Sequence, residues 1–122
     1  MTINSTILVV DDESHIRQVL SLKLTHAGWN VITAVDGEDA LHQAIEHRPD
    51  LVITDIRMPN MDGTALLKAL RNIAPNLPVL ALSGYVDPGD IAEFDFDGFI
   101  KKPFKLDEFR TIVDHTVSKV DT

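Results

Sequence analysis

Three aspartates, a serine and a lysine are the residues of this sequence whose types and positions suggest chemistry. Each lies at or just after the end of a short apolar run, and they are Asp11, Asp12, Asp55, Ser83 and Lys102. Carboxylates that lie close together raise one another's pKa unless a cation joins them. A divalent ion with oxygen ligands, such as Mg²⁺, removes this repulsion. A carboxylate beside Mg²⁺ and an ammonium group can attack phosphorus, so the set predicts an acyl phosphate, and Asp55 is best placed to carry it.

Each of these residues, taken alone, also has a purely structural interpretation. Asp11, Asp12 or Ser14 could cap the helix that follows. The serine of the Ser83-Gly84 pair could belong to a turn, and Lys102 could be a solvated loop lysine, which is the commoner position for a lone lysine. The coincidence of these residues at the ends of apolar runs favours the chemical interpretation.

Apolar runs alternate with helical patterns along the chain. Strands are predicted at residues 7–10, 31–35, 51–53, 79–82 and 99–101. Apolar residues at helical spacing predict helices, with the sets Ile16, Val19, Leu20, Leu24 and Ala27; Ala40, Leu41, Ala44 and Ile45; Leu66, Leu67, Leu70 and Ile73; and Leu106, Phe109, Val113, Val117 and Val120. Apolar strands separated by helices favour a parallel sheet covered on both faces, a doubly wound α/β sandwich. Because the carboxyl ends of parallel strands share one edge, the five polar residues are expected to converge there.

Residues 85–98, YVDPGDIAEFDFDG, depart from this alternation. A fourth helix is expected in this segment, but Pro88, Gly89 and four aspartates leave only a short apolar face. Any helix here is therefore predicted to be short or frayed.

Composition points to one globular domain over residues 1–122, with 44% apolar and 25% charged residues. No apolar run approaches the ~20 residues that span a bilayer, and the N-terminus lacks a signal-peptide pattern. The absence of cysteine excludes disulfides and thiolate sites, so we expect a cytoplasmic protein without a membrane role. A net charge of −8 argues against direct nucleic-acid binding and suits a hard cation.

Four short motifs make the sequence resemble the receiver domain of two-component response regulators, of the chemotaxis-regulator type. The motifs are VVDDES after the first strand, DIRMPNMDG from Asp55 onward, LSG at the fourth strand and KP after the fifth. The resemblance covers essentially the whole chain and implies a flavodoxin-like (βα)5 fold with sheet order 2-1-3-4-5. It also implies that Asp55 takes a phosphoryl group from a partner sensor histidine kinase or histidine phosphotransfer protein. The switched domain then signals to a downstream protein or output domain.

The resemblance assigns roles by position. The ligands it implies for Mg²⁺, or Mn²⁺, are Asp11, Asp12, Asp55 and the backbone carbonyl of Arg57. Ser83 and Lys102 are implied to contact the phosphoryl group, and the Lys102–Pro103 peptide is a candidate cis peptide.

A conformational switch is also implied, in which Ser83 moves toward the phosphoryl group and Phe99 turns inward. The alternative for Phe99 is a buried core aromatic. Arg57 and Tyr85 border the path of an attacking water, and we hypothesise that they tune the lifetime of the phosphorylated state.

Two other classes of protein fit parts of the sequence. A phosphatase of the haloacid dehalogenase type carries a second aspartate two residues after its nucleophile, where this chain has Arg57. A pseudo-receiver, which binds proteins without accepting phosphate, is disfavoured because all the acids and the lysine are present. We therefore expect no separate substrate turnover.

The chain between Ser83 and Lys102 is a few residues shorter than is usual in the family, which puts the common dimer mode in doubt. The sequence leaves open whether the domain stands alone or belongs to a larger regulator.

Overall fold

Strands and helices alternate along the chain. The computed structural model describes residues 5–58, 60–83, 96–102, 107, 111–114 and 116. The elements are β1 (Thr6–Val10), α1 (Ser14–His26), β2 (Asn30–Ala34), α2 (Gly37–His47), β3 (Leu51–Asp55), α3 (Gly63–Ile73), β4 (Val79–Ser83) and β5 (Gly98–Lys101). Residues 111–114 and 116 are also helical.

The five strands form one parallel sheet in the order β2-β1-β3-β4-β5, as predicted. The order reverses between β1 and β3, which are hydrogen-bonded neighbours, and such a switch point opens a crevice beyond the carboxyl ends of the strands. Asp55 lies beside Leu82 of β4, and Ser83 lies beside Lys101 of β5. We call this side of the sheet the carboxyl edge, and the opposite side, where the strands begin, the amino edge.

The strands alternate their side chains between two hydrophobic layers, because successive residues of a strand point to opposite faces. Ile7 and Val9 of β1 pack with residues of α1, whereas Leu8 and Val10 pack with residues of α2 and α3. All five residues of β3 are buried, which confirms the prediction that this strand is covered on both faces. The sheet therefore holds the ends of β1 and β3 in a rigid position.

Aspartates begin two of the helices. Asp36 caps α2 by accepting a hydrogen bond from the N–H of Asp39 at 2.8 Å. Asp62 caps α3 by accepting from the N–H of Ala65 at 2.9 Å. Both helices therefore start directly beyond the carboxyl edge.

Residues 84–95 lie outside the described residues, and the predicted fourth helix falls within them. Within the part of the chain that the structure describes, no helix has the length and apolar character needed to cross a membrane.

Candidate functional site

Three carboxylates lie together at the carboxyl edge. One oxygen from each of Asp11, Asp12 and Asp55 lies within 4.8 Å of the others. Asp11 is fully buried and Asp55 is 7% exposed, whereas Asp12 is exposed. The three carboxylates that the sequence analysis expected at one edge therefore lie together, two of them buried and one at the surface.

Asp11 is held by hydrogen bonds at its backbone and its side chain. Its N–H donates to the carbonyl of Ala34 in β2 at 3.3 Å, and its carbonyl accepts from Nη1 of Arg17 at 2.6 Å. Its Oδ1 accepts from the N–H of Glu13 at 2.9 Å. Glu13 is the N-cap of α1 and makes no side-chain capping bond, so capping of α1 does not explain the aspartate pair.

Asp55 is fixed by the turn that follows β3. Its Oδ1 accepts from the N–H of Ile56 at 2.8 Å. The N–H of Gly63 donates to the carbonyl of Ile56 at 2.8 Å, which brings the start of α3 against the end of β3. A Cβ at position 63 would overlap the carbonyl oxygen of Asp55 and lie 2.8 Å from Cα of Ile56, so this close approach requires glycine.

Lys102 follows β5 and reaches across the edge to both buried carboxylates. Its Nζ lies 2.9 Å from Oδ2 of Asp11 and 3.4 Å from Oδ2 of Asp55. Glu13 is a further, largely exposed acid at 4.0 Å from the same nitrogen. The position of Lys102 between two carboxylates agrees with the prediction that it belongs to the site.

Burial and charge shift the pKa values in the site. Burial, followed by the negative charge of Asp11, raises the pKa of Asp55, although Lys102 opposes the shift. Burial lowers the pKa of Lys102, but the hydrogen bond to Asp11 and the charges of Asp55 and Asp11 outweigh it, so its pKa is raised. Lys102 is therefore a permanent cation beside a carboxylate of increased proton affinity.

The donor set fits a hard divalent cation. The three clustered groups are all carboxylates, and one ammonium leaves two of their negative charges without compensation. Oxygen ligands and a partly open site are what Mg²⁺ and similar ions require. The described residues therefore include an acidic cluster that can hold such a metal.

The other predicted residues stand as follows. The backbone of Ser83 ends β4, one strand away from Asp55. Phe99 lies in β5, partly buried, and packs against Ile56 and Ala81. Arg57 is exposed in the turn after β3. The side chain of Ser83, residue Tyr85 and the Lys102–Pro103 peptide lie outside the described residues, so their predicted roles stay predictions.

Two residues that support the site were missed by the sequence analysis. Arg17 holds the backbone of Asp11 from one turn inside α1, and Gly63 permits the contact between α3 and β3. Arg17 follows Asp11 by six residues, a spacing with no known signature. The Asp62-Gly63 pair is typical of a helix start, which hid the steric reason for the glycine.

Comparison with known proteins gives a consistent family. A model of the response regulator receiver domain matches residues 7–114. The probable transcriptional regulatory protein TcrX of Mycobacterium tuberculosis is 41% identical over 106 residues, covering 84% of this chain and 45% of that protein. The DNA-binding transcriptional regulator NtrC of Klebsiella pneumoniae is 38% identical over 113 residues, covering 90% of this chain and 24% of that protein. The chain thus spans less than half the length of these relatives.

Solved structures agree with the sequence relatives. The response regulator TrrA of Thermotoga maritima, solved in complex with Mg²⁺-BeF, superimposes with a TM-score of 0.85 at 33% identity. The match covers 92% of this chain and 98% of that one. With the family model, the sheet order and the acidic cluster all in agreement, the chain belongs to the response regulator receiver domain family of two-component signalling.

Proposed function

We propose that Asp55 is the phosphoacceptor of this receiver domain. The observation that carries the proposal is the position of its carboxylate, 7% exposed at the end of β3, with the Lys102 ammonium 3.4 Å from Oδ2. An oxygen of Asp55 forms the new bond to phosphorus while the bond from phosphorus to the donor's histidine nitrogen breaks. The leaving imidazole keeps the electron pair of that bond and takes a proton from solvent.

The residues around Asp55 divide the work of this reaction. The N–H of Ile56 orients the carboxylate by its bond to Oδ1. The Lys102 ammonium compensates the charge on the phosphoryl oxygens and stays protonated, because its pKa is raised. The raised pKa of Asp55 makes its ionised form a better nucleophile, at the cost of needing a cation nearby to keep it ionised.

Mg²⁺ is the metal we propose for the acidic cluster, with Mn²⁺ as a substitute. Asp11, Asp12 and Asp55 supply side-chain oxygens, and the backbone carbonyl of Arg57 is the fourth ligand we propose. When bound, the ion supplies positive charge to the phosphoryl oxygens in the transition state. The complex of TrrA with Mg²⁺-BeF supports this assignment.

The partners we propose follow from family membership. The phosphoryl donor is a sensor histidine kinase or a histidine phosphotransfer protein, the receiver of the signal is a downstream protein or an output domain, and the location is the cytoplasm. The expectation that this protein does not bind nucleic acid has no support from the relatives. One of them, NtrC, is a DNA-binding regulator, and this chain covers 24% of its length. No turnover of a separate substrate is part of the proposal.

The switch and the lifetime of the phosphorylated state involve further residues. We place Ser83 and Phe99 in the switch, since β4 pairs with β3 at Asp55 and with β5 on its other side, and Phe99 packs on Ile56. Arg57 and Tyr85 are proposed to control access of water. Replacing either with alanine should change the dephosphorylation rate severalfold, and an unchanged rate would remove that residue from the proposal.

The decisive experiment is incubation with Mg²⁺ and a small phosphodonor such as acetyl phosphate, followed by intact mass. One phosphoryl group should add to the wild type and be absent from Asp55→Asn. Asp50→Asn is the matched control, because Asp50 directly precedes the same strand at the amino edge. Labelling that persists in Asp55→Asn, or is lost in Asp50→Asn, would contradict the assignment.

A further inference from the structure

The loop between β3 and α3, of which residues 56–58 and 60–62 are described, is anchored at its base. It carries Arg57, whose backbone carbonyl is the proposed metal ligand. At the base, the N–H of Gly63 donates to the carbonyl of Ile56 at 2.8 Å. This bond fixes where the loop starts and ends, but it leaves the course of the loop between those points to other contacts.

The far end of the loop contacts the first turn of α2, which is remote in sequence. A Cβ at Gly37 would lie 2.6 Å from the carbonyl oxygen of Met61 and 2.7 Å from its Cβ and Cγ. Gly37 is buried, so the backbone of the first turn of α2 packs against the backbone carbonyl and the side chain of Met61. Any side chain at position 37 must therefore move the loop or the helix.

A carboxylate joins the same two segments. Oδ1 of Asp36 accepts from the N–H of Asp39 and caps α2, while its Oδ2 accepts from Nδ2 of Asn60 at 3.3 Å. Asn60 has φ of 69°, a left-handed conformation that asparagine adopts more readily than most residues. The N-cap side chain of α2 is thus bonded both to the start of its helix and to the loop.

The first turn of α2 is also tied to the other metal-binding segment. Oδ2 of Asp39 accepts from the N–H of Val35 at 3.1 Å, which attaches this turn to the end of β2. The neighbouring carbonyl of Ala34 accepts from the N–H of Asp11. The turn therefore bridges the segment that holds Asp11 and the loop that carries Arg57.

We propose that Asp36 and Gly37 are positioning residues for the metal site: the first turn of α2 sets the place of the Arg57 backbone relative to the three carboxylates, and thereby the affinity for Mg²⁺. The proposal rests on the proposed function, since it takes the acidic cluster as the metal site. Groups hydrogen-bonded directly to metal ligands change metal affinity by about 10–100-fold in other proteins, and a contact one step further from the ligands should act within that range. A merely structural contact would instead change the resistance to unfolding and leave Mg²⁺ affinity unaltered.

The test measures the dissociation constant for Mg²⁺ by calorimetric titration in Gly37→Ala, Asp36→Ser and Asn60→Gly. Serine at position 36 keeps the helix cap but loses the second oxygen, and glycine at position 60 keeps the left-handed backbone but loses the amide. Glu46→Gly is the control, because Glu46 is exposed in the last turn of α2 and the change weakens the helix far from the loop. We expect affinity to fall about tenfold or more in Gly37→Ala and severalfold in the other two, with Glu46→Gly unchanged.

The combination of Asp36→Ser with Asn60→Gly decides whether these residues act through one bond. The double variant should have the same Mg²⁺ affinity as the single variant with the lower affinity, because the second change removes an interaction that is already lost. At saturating Mg²⁺ the rate of phosphorylation by acetyl phosphate should return to within about twofold of the wild-type rate. This remaining difference is smaller than the expected loss of Mg²⁺ affinity.

Two outcomes overturn the inference. Mg²⁺ affinity within twofold of the wild type in Asp36→Ser and Asn60→Gly would contradict it, even if Gly37→Ala fails to fold. An equal loss of affinity in Glu46→Gly would show that the effect comes from the general stability of α2. If the wild type itself neither binds Mg²⁺ nor takes up a phosphoryl group, it is the proposed function that fails.

Discussion

Aspartates lie at both edges of the sheet, and their surroundings differ in kind. At the amino edge, Asp50 precedes β3 and Asp97 precedes β5. Oδ2 of Asp50 accepts from the N–H of Thr6 at 2.8 Å, and Oδ2 of Asp97 accepts from the N–H of Val79 at 2.7 Å. Each aspartate also donates its own N–H to the carbonyl of the same partner, at 2.8 Å in both cases. The same pair of reciprocal hydrogen bonds, between an aspartate and the first residue of a neighbouring strand, therefore occurs twice at the amino edge.

At the carboxyl edge, Asp11 and Asp55 face each other and Lys102 instead. Strands begin with free N–H groups, which can satisfy a carboxylate, whereas strands end with free carbonyl groups, which cannot. Among the described residues, the N–H groups that donate to the side chains of Asp11 and Asp55 are those of Glu13 and Ile56, which lie in the turns after the strands and serve one oxygen each. The remaining oxygens need a cation, so the polarity of parallel strands itself favours a metal and phosphoryl site at this edge.

Removing the built-in cation should give the largest difference between the two edges. In Lys102→Met we expect the rate of phosphorylation by acetyl phosphate to fall about 100–1000-fold, because a charge-compensating group in the transition state is lost. Intact mass against time measures the rate. Lys101→Met is the matched control, since Lys101 is exposed in β5 and should change the rate less than about twofold. An equal fall in the phosphorylation rate of both variants would contradict the proposed role of Lys102.

Mg²⁺ should stabilise the protein through the carboxyl edge alone. At a concentration about 100 times its dissociation constant, it should raise the free energy of unfolding by about 2.7 kcal/mol. Urea unfolding with and without Mg²⁺ measures the increment, which should survive in Asp97→Ala and disappear in Asp11→Asn. An increment that survives in Asp11→Asn would place the metal elsewhere.

Asp97 should matter for stability and not for chemistry. Its Oδ2 accepts from Nη2 of Arg71 at 2.9 Å as well as from Val79, so Asp97→Ala removes the acceptor of both donors. We expect the free energy of unfolding to fall by about 1–3 kcal/mol, with phosphorylation unchanged. Asp50→Ala removes the acceptor of a single, exposed hydrogen bond, and it should lower the free energy of unfolding by less than Asp97→Ala does. A phosphorylation defect in Asp97→Ala would show that the two edges are coupled.

Two aspartates at the carboxyl edge should show opposite dependence on pH in metal-free protein. Hydrogen bonds from Ala65 and Thr64 lower the pKa of Asp62, so its stabilisation is present above about pH 3.8 and is lost as the pH falls through the lower folded value. Asp62→Ala should therefore cost about 1 kcal/mol near neutral pH and less in acid.

Asp55 should behave in the reverse way, because its pKa is raised in the folded protein. The stability associated with its protonated form is fully present below about pH 3.8 and is lost as the pH rises through the folded value. Asp55→Asn should then be more stable than the wild type near neutral pH, with an advantage that disappears in acid. Urea unfolding midpoints measured across pH test both trends. If the stability differences of Asp62→Ala and Asp55→Asn from the wild type changed with pH in the same direction, the opposite pKa shifts assigned to the two aspartates would be contradicted.

The part of the site that strand topology controls was predictable from the sequence. Asp11, Asp55 and Lys102 end or follow apolar runs, and parallel strands bring such positions to one edge wherever they lie in the chain. Contacts between turns were not predictable in this way. Gly37 and Gly63 are glycines because of what lies opposite them, and the sequence around a glycine does not indicate its distant neighbour.

Helix periodicity was also informative only where a helix covers the sheet. Ile45 and Ile73 fit the apolar stripes of α2 and α3, yet they are 58% and 50% exposed. Both lie near the C-terminal ends of their helices, beside Pro49 and Pro78 at a cleft of about 720 Å³ at the amino edge. The 3.6-residue period reports which side of a helix is apolar, but not how far the sheet extends beneath it.

The contact between Gly63 and the end of β3 has a mechanical consequence. No side chain separates the backbone of α3 from the carbonyl of Asp55, so this side of the strand end has no compressible layer. Ile56, the next residue, and Ala81 of β4 pack against the partly buried ring of Phe99 in β5. The end of β3 therefore meets bare backbone at α3 but a side chain toward β5, and a side chain can adjust by changing its rotamer whereas a helix backbone cannot.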